Sequence, residues 1–217
     1  MKFVLSYSCG KDSTLALHKM LEQGHEPVGL LVMVNQEAGR SWFHGVDPEL
    51  LEEISRSLGI PLIPCPSTGE EYHLVMEEGL RRAKELGAQA AVFGDIDIEE
   101  HAQWCRGRCE AAGLKGVFPL WQRDRKENAR EILALGYQCV MKCVRNDALP
   151  QEMLGKVLDD SLLRQMESLG IDVCGENGEY HTIVLGGPIF HTPVPYTCGE
   201  ILDFGNISAM DIRLAKE

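Results

Sequence analysis

The stretch Phe3-Val4-Leu5-Ser6-Tyr7-Ser8-Cys9-Gly10-Lys11-Asp12-Ser13-Thr14-Leu15 passes from a short β-prone run through a small-residue turn into a helical pattern. Leu15, Leu17, Met20 and Leu21 are the apolar positions of a helix predicted over Ser13–Gln23, with Gly24 as its stop. A strand that feeds a small-residue loop and then a helix N-terminus is an anion site. The first-turn amides lack partners within the helix, and the helix dipole favours negative charge there. Gly10 lets backbone approach closely, Ser8 and Ser13 offer hydroxyls, and Lys11 adds a positive charge. The loop is not a Walker A motif, because Leu5 sits where its first Gly belongs and Asp12 follows the lysine. A Gly-x-Gly-x-x-Gly fingerprint is also absent from this turn.

Outward from this stretch the strand and helix patterns alternate. Strands are predicted at Val28–Val34, Leu62–Ile63, Ala90–Phe93, Val117–Leu120 and Gln138–Val144. Helices are predicted at Pro48–Leu58, Glu71–Leu86, Ile98–Ala112 and Lys126–Leu135, most of them closed by a glycine. About five β-α repeats predict an α/β fold with a parallel doubly wound sheet and helices on both faces. Ligands of such sheets bind at the carboxyl ends of strands, so the loops after Leu5, Val34, Phe93 and Leu120 are the places to look for chemistry. Beyond Asn146 the pattern changes to a helix predicted over Gly155–Leu169 and then Gly- and Pro-rich strands. The expected division is a main α/β domain at 1–145 and a small C-terminal α+β region at 146–217.

The 217 residues carry a net charge of −12, from 21 Lys and Arg against 33 Asp and Glu. Ordinary globular composition at this length fits one large domain, or one with a small appendage. The acidic balance argues against a general nucleic-acid binder, which needs a basic face. The longest apolar run, Val28–Val34, is too short to span a bilayer, and the first residues form no secretory core, so a cytoplasmic location is expected. The eight scattered cysteines then read as free thiols. His101, Cys105 and Cys109 share one helical face as weak metal candidates, and Cys139 and Cys143 share a strand face. A thiol at a helix N-terminus beside Lys11 raises the expectation of a lowered Cys9 pKa.

Ser8-Cys9-Gly10-Lys11-Asp12-Ser13 resembles the Ser-Gly-Gly-x-Asp-Ser loop of the PP-loop (N-type) ATP pyrophosphatases, with Cys9 in place of the first glycine. If that position requires a positive φ, the cysteine costs energy there. Ser41-Trp42-Phe43-His44, Leu120-Trp121-Gln122-Arg123, Leu154 to Asp159 and Cys174-Gly175-Glu176-Asn177-Gly178-Glu179-Tyr180 follow in order. Together they are similar to the diphthine–ammonia ligase branch. Asn177 and His181 depart from that pattern, in the presumed substrate region.

The resemblance implies an adenine nucleotide alpha hydrolase-like fold and an ATP-dependent, AMP-forming amide ligase that adenylates a carboxylate and amidates it with ammonia. It implies pyrophosphate held by Ser6, Ser8, Cys9, Gly10, Lys11, Asp12 and Ser13, with His44, Gly94, Asp95 and Arg123 also on ATP. Asp12 and Asp95 are the expected Mg2+ ligands, since that ion takes carboxylate and phosphate oxygens. Asp95 reads equally as a cap for the helix that follows it. An anionic pocket attracts ammonium and accepts its proton, which assigns Glu176 and Glu179 alongside Lys11 and Asp12 as catalytic candidates. Lys142, Asn177, Gly178, Tyr180 and Thr182 complete the expected substrate region. Expected partners are ATP, ammonium and a carboxylate acceptor, the family's own being diphthine on a translation elongation factor; a homodimer is a further expectation. Two other readings stay open: a tRNA-modifying PP-loop enzyme with a cysteine pair, and a non-catalytic ATP- or AMP-binding regulator.

Overall fold

Alternation along the first strand sets up two layers. In the computed structural model, which describes residues 1–42 and 44–216, β1 (Lys2–Ser6) buries Phe3 and Leu5 on one face and Val4 on the other. Phe43, part of the Ser41–His44 motif, lies outside the described residues. β2 (Glu26–Asn35) runs parallel to β1, and the two-residue β3 (Arg40–Ser41) folds back antiparallel onto its end. β4 (Leu62–Ser67) pairs with the other side of β2, while β5 (Ala90–Val92) and β6 (Lys115–Val117) extend the sheet beyond β1. The order therefore reverses at β1, and the crevice between the carboxyl ends of β1 and β5 is the switch point.

α1 (Lys11–Glu22), α2 (Pro48–Leu58) and α5 (Arg125–Ala134) pack on the Phe3/Leu5 face. α3 (Tyr72–Glu85) and α4 (Glu99–Ala112) cover the Val4 face. β4 tolerates Pro64 and Pro66 because it is an edge strand, and both prolines are exposed. The strand expected at Val117–Leu120 ends instead at Val117, since Pro119 has no N–H for the ladder. Phe118 turns to stack on Phe93 at 5.3 Å, and Leu120 is buried in the following turn.

The expected fifth repeat does not join the parallel sheet. β7 (Cys139–Arg145) pairs antiparallel with β8 (Tyr180–Val184) and β10 (Ile207–Leu214), and β9 (Tyr196–Asp203) closes a second, four-stranded sheet. A strand buried on both faces reads alike in either kind of sheet, so its apolar run did not distinguish them. The helix expected from Gly155 starts later, as α6 (Asp160–Ser168), with the Asp159 side chain accepting from Leu162 N at 2.8 Å. Gly155 has φ +76°, and the segment after it lies extended against β7, with Leu158 N donating to Cys139 O at 2.7 Å. Residues of β7, β8 and β10 share one apolar core with α1, α2 and α5.

The second sheet docks on the loop after β1. Val184 N donates to Cys9 O at 2.8 Å, and Lys11 N to Thr182 Oγ1 at 3.1 Å. Among the described residues no helix is long and apolar enough to cross a membrane. All eight cysteines are free, and Cys198 alone is exposed. A maleimide or disulfide-exchange reagent should therefore modify one thiol per native chain and all eight after denaturation. Rapid native labelling of several thiols would contradict this packing.

Candidate functional site

Cys9 occupies the left-handed region at φ 67°, the conformation that the glycine of the resembled motif adopts without strain. Its side chain is buried, and burial pushes the thiol well above its ordinary value. The expected lowering of the Cys9 pKa is thus corrected: the sulfur faces the core, where nothing stabilises a thiolate. The turn it makes exposes the first amides of α1. Gly10 N donates to Ser8 Oγ at 3.3 Å, and Ser8 Oγ lies 3.1 Å from Ser13 Oγ. With Lys11 N bonded to Thr182, the amides of Asp12 and Ser13 are left without partners among the described residues.

Two glycines make the space. A Cβ on Gly94 would sit 2.7 Å from Ser13 N and 2.8 Å from Asp12 C, so the loop after β5 touches the α1 backbone directly. A Cβ on Gly10 would sit 2.6 Å from His44 Cε1. These approaches shape an open cleft of about 640 Å³ at the switch point. Its first wall holds Ser6, Ser8, Gly10, Lys11, Asp12 and Ser13, with Gly94 and Asp95 from the loop after β5 and His101 from α4. The opposite wall is Cys174, Glu176, Asn177 and Gly178 with Tyr180, His181 and Thr182 of β8. His44 lies between them, giving its Nδ1 proton to Thr182 O at 2.9 Å. Burial, then the adjacent His181, pull His44 down to about 3, so it is neutral.

Lys11 is only 4 % exposed and points toward the second wall, with Nζ on Asp12 Oδ2 at 2.7 Å and on Cys174 O. Burial alone would lower its pKa, but Asp12 and its other neighbours override this and hold it well above the ordinary value. Asp12, Cys174 and Glu176 offer ligand atoms all within 4.8 Å of one another, the convergent group of this kind among the described residues. Burial, then the negative charge of Asp12, raise Glu176 to about 7. Burial likewise raises Asp95, against the opposing effect of His101 at 4.0 Å. Asp95 does not cap the next helix: α4 starts after Ile98 with no side-chain cap, leaving the Asp95 carboxylate facing the cleft.

Four expected residues stand elsewhere. Cys9 lies beneath the loop. Glu179 is buried, its carboxylate accepting from Asn177 N and Nδ2, both at 3.1 Å, so it braces the turn rather than lining the cleft. Arg123 pairs with Glu131 of α5 at 2.6 Å, and Lys19 of α1 pairs with the same carboxylate. Lys142 is buried in the second sheet, its ammonium on Met210 O, and burial lowers its pKa. Tyr180 and Thr182 reach the cleft with committed hydroxyls, Tyr180 on Val173 O at 2.6 Å and Thr182 as the cap of α1. His101, Cys105 and Cys109 do not converge, because both thiols are buried in the α3/α4 core. Sequence reasoning did not single out Cys174 or His181 as site residues, although both stand in or beside a quoted motif.

The cleft runs on into a smaller pocket of about 370 Å³ lined by Tyr72, Met76, Trp104 and Cys105, sharing Ser6, Phe93, Asp95 and His101 with it. This apolar, aromatic chamber beside the unpartnered α1 amides has the shape and chemistry to suit a planar heterocycle carrying phosphates.

The cleft's two walls fall in segments that match two different family models. Residues 1–116 match the family model of the diphthamide synthase N-terminal domain, and residues 124–217 that of the C-terminal domain. A diphthine–ammonia ligase of Mus musculus is 36 % identical over 228 residues, covering 92 % of this chain and 84 % of its own length. The Homo sapiens protein of the same name is 31 % identical, over 93 % of this chain and 85 % of its own. The Schizosaccharomyces pombe one is 27 % identical, and this chain spans only 37 % of it.

Proposed function

This chain belongs to the diphthine–ammonia ligase family, and on that premise we propose that it couples ATP cleavage to AMP with amidation of a carboxylate. The observation that carries the reading is the meeting of Asp12, at the free amides of α1, with Glu176 on the opposite wall. The Ser8–Ser13 turn takes the β- and γ-phosphates of ATP, and the aromatic pocket takes the adenine. Both glycine approaches favour this, since each brings bare backbone to the cleft. Through carboxylate oxygens Asp12 and Asp95 would hold Mg2+, a hard cation that fits them better than the Cys174 thiol, which burial keeps protonated. An ion held there would offset phosphate charge; the acceptor carboxylate oxygen attacks the α-phosphorus and pyrophosphate leaves.

Ammonia then attacks the acyl carbon and AMP leaves. Ammonium has no lone pair to attack with. Glu176, ionised above about pH 7, both attracts ammonium and takes its proton. The acceptor in this reading is diphthine on an elongation factor, or a close carboxylate relative. The test is release of AMP and pyrophosphate from Mg·ATP with ammonium, with and without acceptor. Acceptor-dependent AMP supports the ligase; ATP binding with no AMP under any acceptor turns the chain into a nucleotide-binding regulator.

Glu176→Gln should keep acceptor-dependent ATP–pyrophosphate exchange and lose amide formation by about 10²–10⁴-fold. For the parent protein, amide formation should fall as pH drops through about 7, because the protonated carboxyl has no site for the ammonium proton. The raised Glu176 pKa also means that the folded chain binds an extra proton between pH 4.5 and about 7. Stability attributable to this group is therefore lost as pH rises through that window, and Glu176→Gln should melt no lower than the parent at pH 8. In the smaller pocket, Trp104→Ala should weaken ATP binding by about three- to tenfold with little change in kcat, read by titration calorimetry.

A further inference from the structure

Resting on the ligase reading, we infer that Arg125 is a positioning residue that fastens the two acidic walls of the cleft together. Arg125 is the first residue of α5, directly after the point where the second family-matched segment begins. Its guanidinium engages two loops at once. Nε and Nη2 fork onto Asp97 at 2.7 and 2.6 Å, while Nη1 donates to Asp172 Oδ2 at 2.5 Å. Asp97 lies two residues beyond Asp95, on the loop leaving β5. Asp172 organises the facing wall: its Oδ1 accepts from Cys174 N at 2.9 Å and its Oδ2 from Glu176 N at 3.3 Å. One planar cation thus sets the separation between the loop bearing Asp95 and the loop bearing Glu176. None of Arg125, Asp97 and Asp172 lines the cleft itself.

An ordinary surface ion pair contributes little. This one differs in geometry and in setting. The fork on Asp97 is bidentate, and the Asp172 side chain is only 13 % exposed. Asp12, Asp95, Asp97, Asp172 and Glu176 gather at this end of the cleft, and Lys11 and Arg125 are the cations paired among them. Without Arg125, Lys11 alone of these two cations remains against the five carboxylates. Lysine does not reproduce it, since an ammonium has no planar fork to grip both Asp97 oxygens in parallel while a third coplanar donor reaches Asp172.

The test uses the full chain with Arg125→Gln, Arg125→Lys and Asp97→Asn, read by backbone hydrogen exchange and by steady-state AMP formation. Exchange over residues 172–178 should quicken at least about tenfold in each variant, while β7 and β10 exchange as in the parent. The kcat for AMP should fall at least about tenfold with KM for ATP within about twofold, and lysine should not restore it. Asp97→Asn keeps the Arg125–Asp172 pair and releases only the far anchor, so it stays informative if Arg125 variants fold poorly. Unchanged exchange over 172–178 in a folded Arg125→Gln protein, or full recovery by Arg125→Lys, would overturn the tie. Exchange needs no substrate. Loosening by Arg125→Gln in a protein that never forms AMP would sink the ligase reading and leave the tie standing.

Discussion

Asp12→Asn is expected to lower AMP formation by at least about a hundredfold, the scale seen when a preorganised charge at a reacting centre is removed. The substitution nearly preserves shape, so it isolates charge. Three things change together. The carboxylate assigned to Mg2+ is lost. Buried Lys11 loses its ion partner and is left with neutral neighbours, Cys174 O and the Tyr180 ring among them. Glu176 loses the nearby negative charge that helps raise its pKa. Leaving Lys11 without its partner should also cost about 1–3 kcal/mol of stability. Product kinetics at 25 °C beside a thermal melt separate the two effects. A folded Asp12→Asn protein with more than about a tenth of parental activity would remove Asp12 from the chemistry.

Gly94→Ala acts through backbone alone. The added methyl would lie 2.7 Å from Ser13 N and 2.8 Å from Asp12 C, and neither atom belongs to a flexible side chain. Either β5 or the start of α1 must move. Overpacking of this kind costs about 1–3 kcal/mol. The movement falls on the amides assigned to phosphate, so ATP affinity should drop at least about tenfold, alongside the lower melting temperature. Unchanged ATP affinity would mean that phosphate does not bind where β5 meets α1.

These two sites were legible in the sequence because their chemistry is local. Gly10, Lys11, Asp12 and Ser13 are consecutive, and Gly94-Asp95 directly follows a strand. The parallel sheet was legible for the same reason, since each β-α unit declares itself within a few tens of residues. Long-range pairing was not. β7 carries an apolar run that suits either sheet, and its partners Tyr180–Val184 and Ile207–Leu214 come much later in the chain. Glu176 and Glu179 look equivalent as a sequence pair. Packing separates them, one raised toward neutrality in the cleft and one spent on Asn177. Arg123 looked like a phosphate ligand from its motif, yet Glu131 one helix turn and more beyond claims it. Arg125 gave no signal at all, because its partners lie 28 and 47 residues away.

The most direct measurement follows an oxygen atom. A diphthine-bearing elongation factor with 18O in the acceptor carboxylate would be turned over with Mg·ATP and ammonium, and the AMP collected for mass spectrometry. Adenylation of the carboxylate predicts one 18O in each AMP, with none in pyrophosphate. AMP free of label, or ADP as the product, would contradict the adenylating ligase on which the assignment of Asp12, Glu176 and the α1 amides depends.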